Sequence, residues 1–174
     1  MVRSFLLSIV VALGLPSAPA LAQADEEAAV RDVVDRLFDA MRAGDSAGVR
    51  AVFHPRARLV TAGERDGEPM LQVADSIGGF ITAVGSPHPE TWDERIWDVE
   101  VRVDGRLAAV WTPYAFYLGE TLSHCGVDAF QLFKGSEGWQ IIEIADTRRR
   151  DGCEPPEVAE PTVGEPTIGE PAPE

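Results

Sequence analysis

Positive charge is scarce in this chain. Fifteen lysines and arginines stand against 29 aspartates and glutamates, a net charge of −14 at pH 7. Setting aside Arg3 and the six glutamates from Glu154 onward leaves 14 basic and 23 acidic residues, so the stretch between carries −9. Phosphate backbones and anionic membranes repel such a surface, which argues against nucleic acid as a partner. Arg148, Arg149 and Arg150 form the one basic cluster, and its plain reading is a solvated strand end. Metal-ligand spacing is missing too: no close pair of His or Cys recurs in a zinc-like pattern, so no metal site is expected. Nor do the residues imply any cofactor.

Long apolar runs are also lacking. The run FLLSIVVALGL, after Arg3, is too short to span a bilayer. Two small-residue cleavage patterns follow it, Ala20-Leu21-Ala22 and Ala22-Gln23-Ala24. That order marks residues 1–24 as a secretory signal peptide and the mature chain as exported, periplasmic or secreted, with no membrane segment. Neither site is followed by a cysteine that could take a lipid. From Glu154 to Glu174 the chain repeats Glu-Pro-Thr-x-Gly units and has too little apolar surface to offset its ordering entropy. An extended, disordered acidic tail is expected there. Residues 25–153 remain as one domain with one core. The only two cysteines, Cys125 and Cys153, fall in a chain bound for an oxidising compartment, which favours one disulfide over a free catalytic thiol.

What is present is periodicity. Val30, Val33, Val34, Leu37, Phe38 and Met41 recur at helical spacing. Gly44 stops that helix, and Asp45 or Ser46 can cap a short second one carrying Val49, Val52 and Phe53. ARLVTAG reads as a strand and ERDGEPM as its turn, making a short strand pair, and a third helix is expected within 75–84. Then the period changes to two. TWDERIWDVEVRV, RLAAVWTPYAFYL, TLSHCGVDAFQLF and WQIIEIADTR are four strands joined at Asp104-Gly105, Gly119-Glu120 and KGSEG. Three helices on a curved antiparallel sheet make an α+β cone with room inside.

Pairing Phe133 with Trp139 across KGSEG sets Gly126 opposite Asp146 and Asp128 opposite Ile144. His124, Asp128 and Phe130 then share one sheet face with Asp146 and Arg148. An apolar floor ending in a few polar groups suits a ligand pocket. His124 and Asp128 lie about 13 Å apart along the strand, too far to share a proton. Asp146 is diagonal to both, so His124 with Asp146 is the expected acid–base pair, with Arg148 beside it. The plainer reading of the same residues is a satisfied His–Asp–Arg network at a sheet end. A two-residue turn sets Tyr114 opposite Cys125, and a longer loop or a bulge near Pro113 brings it to the pocket face. The other face, with Val127, Ala129, Phe133, Trp139 and Ile141, is apolar as well, and a homodimer is the simplest cover.

The first half, AAVRDVVDRLFDAMRAGDSAGVRAVFHPRARLV, resembles the opening of the nuclear transport factor 2-like, or SnoaL-like, cone fold. The second half, with Y-x-F-Y, H-C-G-x-D-x-F and A-D-T-R-R, resembles that superfamily's putative lumazine-binding subgroup. The resemblance implies a domain that is usually dimeric, with a pocket between sheet and helices. Isomerases, dehydratases, cyclases and pure binding proteins share this scaffold, so function is not settled by fold. Three readings stand: a small-molecule-binding protein using Tyr114, His124, Asp128, Phe130, Asp146 and Arg148; a metal-independent lyase or isomerase with His124, Asp146 and Tyr114 catalytic; or a non-catalytic dimer module.

Overall fold

The computed structural model describes residues 18–156, with side chains from Ala22 onward. Most of the expected signal segment (1–17) and of the expected tail (157–174) lies outside the described residues. Ten elements follow in order: α1 (Ala18–Ala43), α2 (Ser46–Val52), β1 (Phe53–Arg65), β2 (Glu68–Ala74), α3 (Gly78–Gly85), β3 (Trp92–Ile96), β4 (Glu100–Asp104), β5 (Leu107–Leu118), β6 (Thr121–Gly135) and β7 (Gly138–Thr147). No described helix is long and apolar enough to cross a membrane.

The α1 stripe of Val30, Val33, Val34, Leu37, Phe38 and Met41 is at most 5% exposed and packs on the sheet. Gly44 leaves the helix at φ 66°, a conformation that costs glycine little. Asp45 then caps α2, accepting from the amides of Ala47 and Gly48 at 3.0 Å each. Helix α1 runs through both expected cleavage sites. Its first buried residue is Val30, and Glu26 bonds Lys134 and accepts from Trp139 Nε1. Cleavage after Ala22 or Ala24 would leave all of these contacts in place.

The sheet runs β2-β1-β7-β6-β5-β3, with β4 also paired to β5. It is mixed rather than wholly antiparallel, because β1 lies parallel to β7. The reason is that β1 enters from α2 and closes on the far edge of the meander, where only the outer side of β7 is open. The strand expected over TWDERIWDVEVRV is also two strands, broken at Trp97–Val99, where Asp98 has φ 46°. That break sits beside Pro113, which has no N–H for the ladder; its carbonyl takes the Trp97 amide.

Two bulges reset the expected register. One, between Phe116 and Tyr117, leaves Ser123 extra in β6 and sets Tyr114 opposite Gly126 instead of Cys125. The other, beside Gln131 and Leu132, leaves Ile142 extra in β7; added to a one-residue shift at the KGSEG turn, where Phe133 faces Gln140 rather than Trp139, it sets Asp128 opposite Asp146 and not Ile144. The shift at the turn also swaps faces: Trp139 and Ile141 are core residues, 6% and 0% exposed, rather than part of the outer face. Phe133, Trp111 and Leu107 stay outside, 39%, 55% and 52% exposed.

The disulfide between Cys125 and Cys153 is formed, closing a loop of sequence separation 28. By the chain-entropy model it stabilises the fold by about 3–4 kcal/mol. It holds the chain end beside β6, where Cys125 and Arg149 exchange both backbone hydrogen bonds at 3.0 Å.

Gly126 is the tightest point of the packing. A Cβ there would meet the Thr147 carbonyl oxygen at 1.8 Å and Tyr114 Cε1 at 2.8 Å. The gap is therefore filled by the tyrosine ring and the end of β7, not left open. Gly126→Ala is expected to lower unfolding free energy in urea by about 1–3 kcal/mol or more through overpacking. Gly79→Ala, with nothing within 4 Å, is the control and should be neutral or slightly stabilising.

Candidate functional site

Two adjacent rows across the sheet build the inner face near its polar end. One is Leu59, Ile144, Phe130 and Val110; the next is Thr61, Asp146, Asp128 and Thr112. Helices α1 and α3 roof these rows with Leu37, Phe38, Met41 and Phe80, enclosing a cavity of about 110 Å³. Its walls are apolar except for Thr61 and three acids: Glu94, Asp128 and Asp146.

Two carboxyl groups directly opposite each other in a sheet repel. The structure relieves this by treating them differently. Asp146 accepts from Thr61 Oγ1 at 2.5 Å and pairs with the Arg148 guanidinium at 3.2 Å. The Tyr114 hydroxyl donates to the Thr147 carbonyl at 3.0 Å and lies 3.3 Å from Asp146 Oδ2. Asp128, only 3% exposed, has no such support, and its Oδ2 is buried without a hydrogen-bond partner among the described residues. Its neighbour is the carboxyl of Glu94, within hydrogen-bond reach.

Burial penalises charge on Asp128, and the adjacent Glu94 adds repulsion, so its proton affinity is raised well above the carboxylate norm. Burial likewise pushes Glu94 up to about 7, against the hydrogen bond from Asp128, which pulls it down. The two carboxyls thus act as one unit sharing a proton near neutral pH. Tyr114 is held firmly as the neutral phenol, first by burial and then by the nearby carboxylates.

The residues expected from sequence divide into three groups. Asp128, Asp146 and Phe130 line the cavity. Tyr114 and Arg148 stand behind Asp146 and hold it. His124 is to one side: its ring lies on Phe116 with centroids 4.9 Å apart, and Nδ1 is 3.1 Å from Ser123 Oγ. Its hydrogen-bond partner is thus Ser123, not Asp146. Burial and then the Arg148 charge push its pKa down to about 4, so the ring is neutral at pH 7. Arg149 and Arg150 line a separate surface groove with Arg65 and Arg148. No group of three or more His, Cys, Asp or Glu among the described residues has the arrangement of a metal site.

Glu94 escaped the sequence reading. The signal was there: between Trp92 and Ile96, both packed on the core, alternation turns Glu94 inward too. A charge at an inward strand position is rare unless it is paired or functional.

The cone of three helices on a curved mixed sheet, with a cavity between them, is the nuclear transport factor 2-like class of α+β domain. Solved structures of that class match at low identity and so report the fold alone. An NTF2-like protein with a cystatin-like fold from Novosphingobium aromaticivorans aligns with TM-score 0.63 and 11% identity, covering 80% of this chain and 94% of that one. A putative dehydratase of the NTF2-like family from Streptomyces avermitilis gives 0.54 and 16%, over 73% and 98% of the two chains. A putative ketosteroid isomerase from Shewanella frigidimarina gives 0.51 and 17%, over 68% and 94%. The family model described as "Putative lumazine-binding" matches residues 25–144, and the chain belongs to that family. No curated protein matches it.

The acid pair and His124 give stability opposing pH dependences. Folded, Glu94 keeps its proton to about pH 7; unfolded, only to the ordinary 4.5. Between those values the folded state holds the extra proton, so stability falls as pH rises. His124 protonates near 4 folded and 6.5 unfolded, so over that interval stability rises with pH. Glu94→Gln removes the Glu94 share of the falling part and leaves the share that burial gives Asp128. Measured against the parent by urea unfolding, its relative stability should climb by about 1–3 kcal/mol between the lower and upper Glu94 values. Parallel pH curves for the two proteins would show that Glu94 carries no raised affinity.

Proposed function

We propose that this protein is an exported small-molecule-binding protein whose ligand enters the cavity between sheet and helices. The observation that carries this reading is Asp128: a buried carboxyl with an unsatisfied oxygen, beside Glu94, at the end of an otherwise apolar cavity. An unmet buried acceptor is costly, and a ligand donor would satisfy it. Asp128, Asp146 and Phe130 are in position to touch the ligand. Tyr114 and Arg148 set the orientation and charge of Asp146, and His124 stands apart, packed on Phe116. The family description also supports a small-molecule ligand. At about 110 Å³ the cavity is below the roughly 300–1,000 Å³ usual for drug-sized ligands. A bicyclic ring would need side chains to move aside; a smaller molecule would not. The apolar run after Arg3, the small-residue cleavage patterns and the formed disulfide support export to the periplasm or medium.

A metal-independent lyase or isomerase is the second reading. One observation favours it: a carboxyl pair with Glu94 near 7 is poised to take and return a proton at neutral pH. In that case Tyr114, Asp146 and His124 support the pair around the reacting molecule.

The outer sheet face bears on assembly. Trp111 and Phe133 are exposed there, and Glu100 and Arg102 on β4 border Trp111. A second copy laid on this face by a two-fold axis would bury the apolar patch and set each Arg102 near the partner copy's Glu100. A homodimer is the assembly this supports.

Native mass spectrometry of residues 25–156 should show a co-purified small molecule, or a thermal screen should yield a stabilising one, with Asp128→Asn weakening binding at least tenfold. A cavity that takes nothing in either experiment leaves the dimer module as the surviving reading. Light scattering should give a dimer mass that Trp111→Arg halves; a monomeric parent would remove the dimer.

A further inference from the structure

We propose that the ligand is a small organic cation, a short alkyl amine, whose ammonium sits between Glu94 and Asp128. This deepens the binding reading above and rests on it.

The argument begins with which charges in the cavity are already balanced. Asp146 is paired with Arg148 and held by Thr61. Neither Glu94 nor Asp128 has such a partner. Two arginines beside the neighbouring Asp93 are engaged with it instead: Arg95 bonds Asp93 at 2.7 Å and lies 4.2 Å over the Tyr117 ring, and Arg42 bonds Asp93 at 2.8 Å. The lone negative charge of the cavity therefore belongs to the Glu94–Asp128 pair. No side-chain donor among the described residues reaches the buried Asp128 Oδ2.

An ammonium group answers all of this at once. It carries three N–H donors and no acceptor, so it can bond Asp128 Oδ2 and Glu94 together and take the place of the shared proton. Attraction between the ammonium and the carboxyls is stronger in the cavity than in bulk water and has to offset the water each group gives up. The remaining walls suit the rest of such a molecule. Phe130 and Phe38 meet edge to face at 6.1 Å, and Phe80 lies on the other side of the opening. These rings accept an alkyl chain and favour a nearby cation over a neutral group. An anion meets the reverse: a carboxyl pair, with the Arg148 guanidinium already paired to Asp146. A metal ion would need several ligands in a fixed geometry, which the described residues do not form. The volume limits the body of the ligand, since an apolar cavity of about 150 Å³ admits benzene and this one is about 110 Å³.

The test uses three molecules of equal length that differ at one end: butylamine, butanol and butyrate. Calorimetric titration into residues 25–156 near neutral pH should show butylamine binding at least tenfold tighter than butanol, with butyrate weakest. In Asp128→Asn and in Glu94→Gln the advantage of the amine over the alcohol should fall below about threefold, while butanol binding changes little. Two variants are used so that a folding failure in one leaves the other informative. Equal affinities for amine and alcohol would overturn the cation proposal yet leave the cavity as a binding site. Preference for butyrate would overturn it outright. If none of the three binds and the thermal screen above is also empty, the binding reading falls with it.

Discussion

Two aspartates face each other across β6 and β7 in the interior, and much of the polar end of the cone is arranged around that opposition. Like charges at a directly opposed pair cannot both stay ionised and buried without help. Asp146 receives an arginine and a threonine hydroxyl, with the tyrosine hydroxyl close by. Asp128 receives only another acid, Glu94, and keeps a proton. From one repulsion come two chemically distinct carboxyls about one cavity: one an anion in an ion pair, the other half of a proton-sharing unit. The binding, catalytic and cation-selective readings all use that asymmetry.

The supporting geometry depends on a glycine. Tyr114 can bring its hydroxyl to the end of β7 only because Gly126 has no side chain beneath its ring. The same strand then sends Cys125 the opposite way, where the disulfide ties it to Cys153 and fixes the run that carries Arg148. So SHCGVDAF is divided by its pleat: alternate residues serve the cavity and the covalent anchor. His124, the residue in that stretch with the most familiar catalytic chemistry, is packed on Phe116 and kept neutral.

How much was legible follows from the range of the interactions involved. The α1 stripe, the Gly44 stop and the Asp45 cap are local, set by residues within a turn or two, and they are read directly from spacing. The hairpins at Asp104-Gly105 and Gly119-Glu120 are local too. Strand register is not. Each bulge adds one residue to one strand, and whether Ser123 or Ile142 is the extra one depends on what the neighbouring strands accept. Period-two alternation carries no mark of such an insertion, nor of the one-residue shift at the KGSEG turn that inverts the expected face of Trp139 and Ile141; turn and bulge together set Asp128 two residues from its expected partner.

The sequence by itself determined the helices, the strand count to within one break, the acidic surface, the cysteine pair and the presence of polar residues at the end of an apolar sheet face. Those depend on composition and short spacing. Only the tertiary structure decided that β1 closes the sheet in parallel against β7, that Glu94 from β3 meets Asp128 from β6, and that His124 does not meet Asp146. These are contacts between residues more than 20 positions apart. They are set by sheet curvature and bulge position, which no single segment encodes.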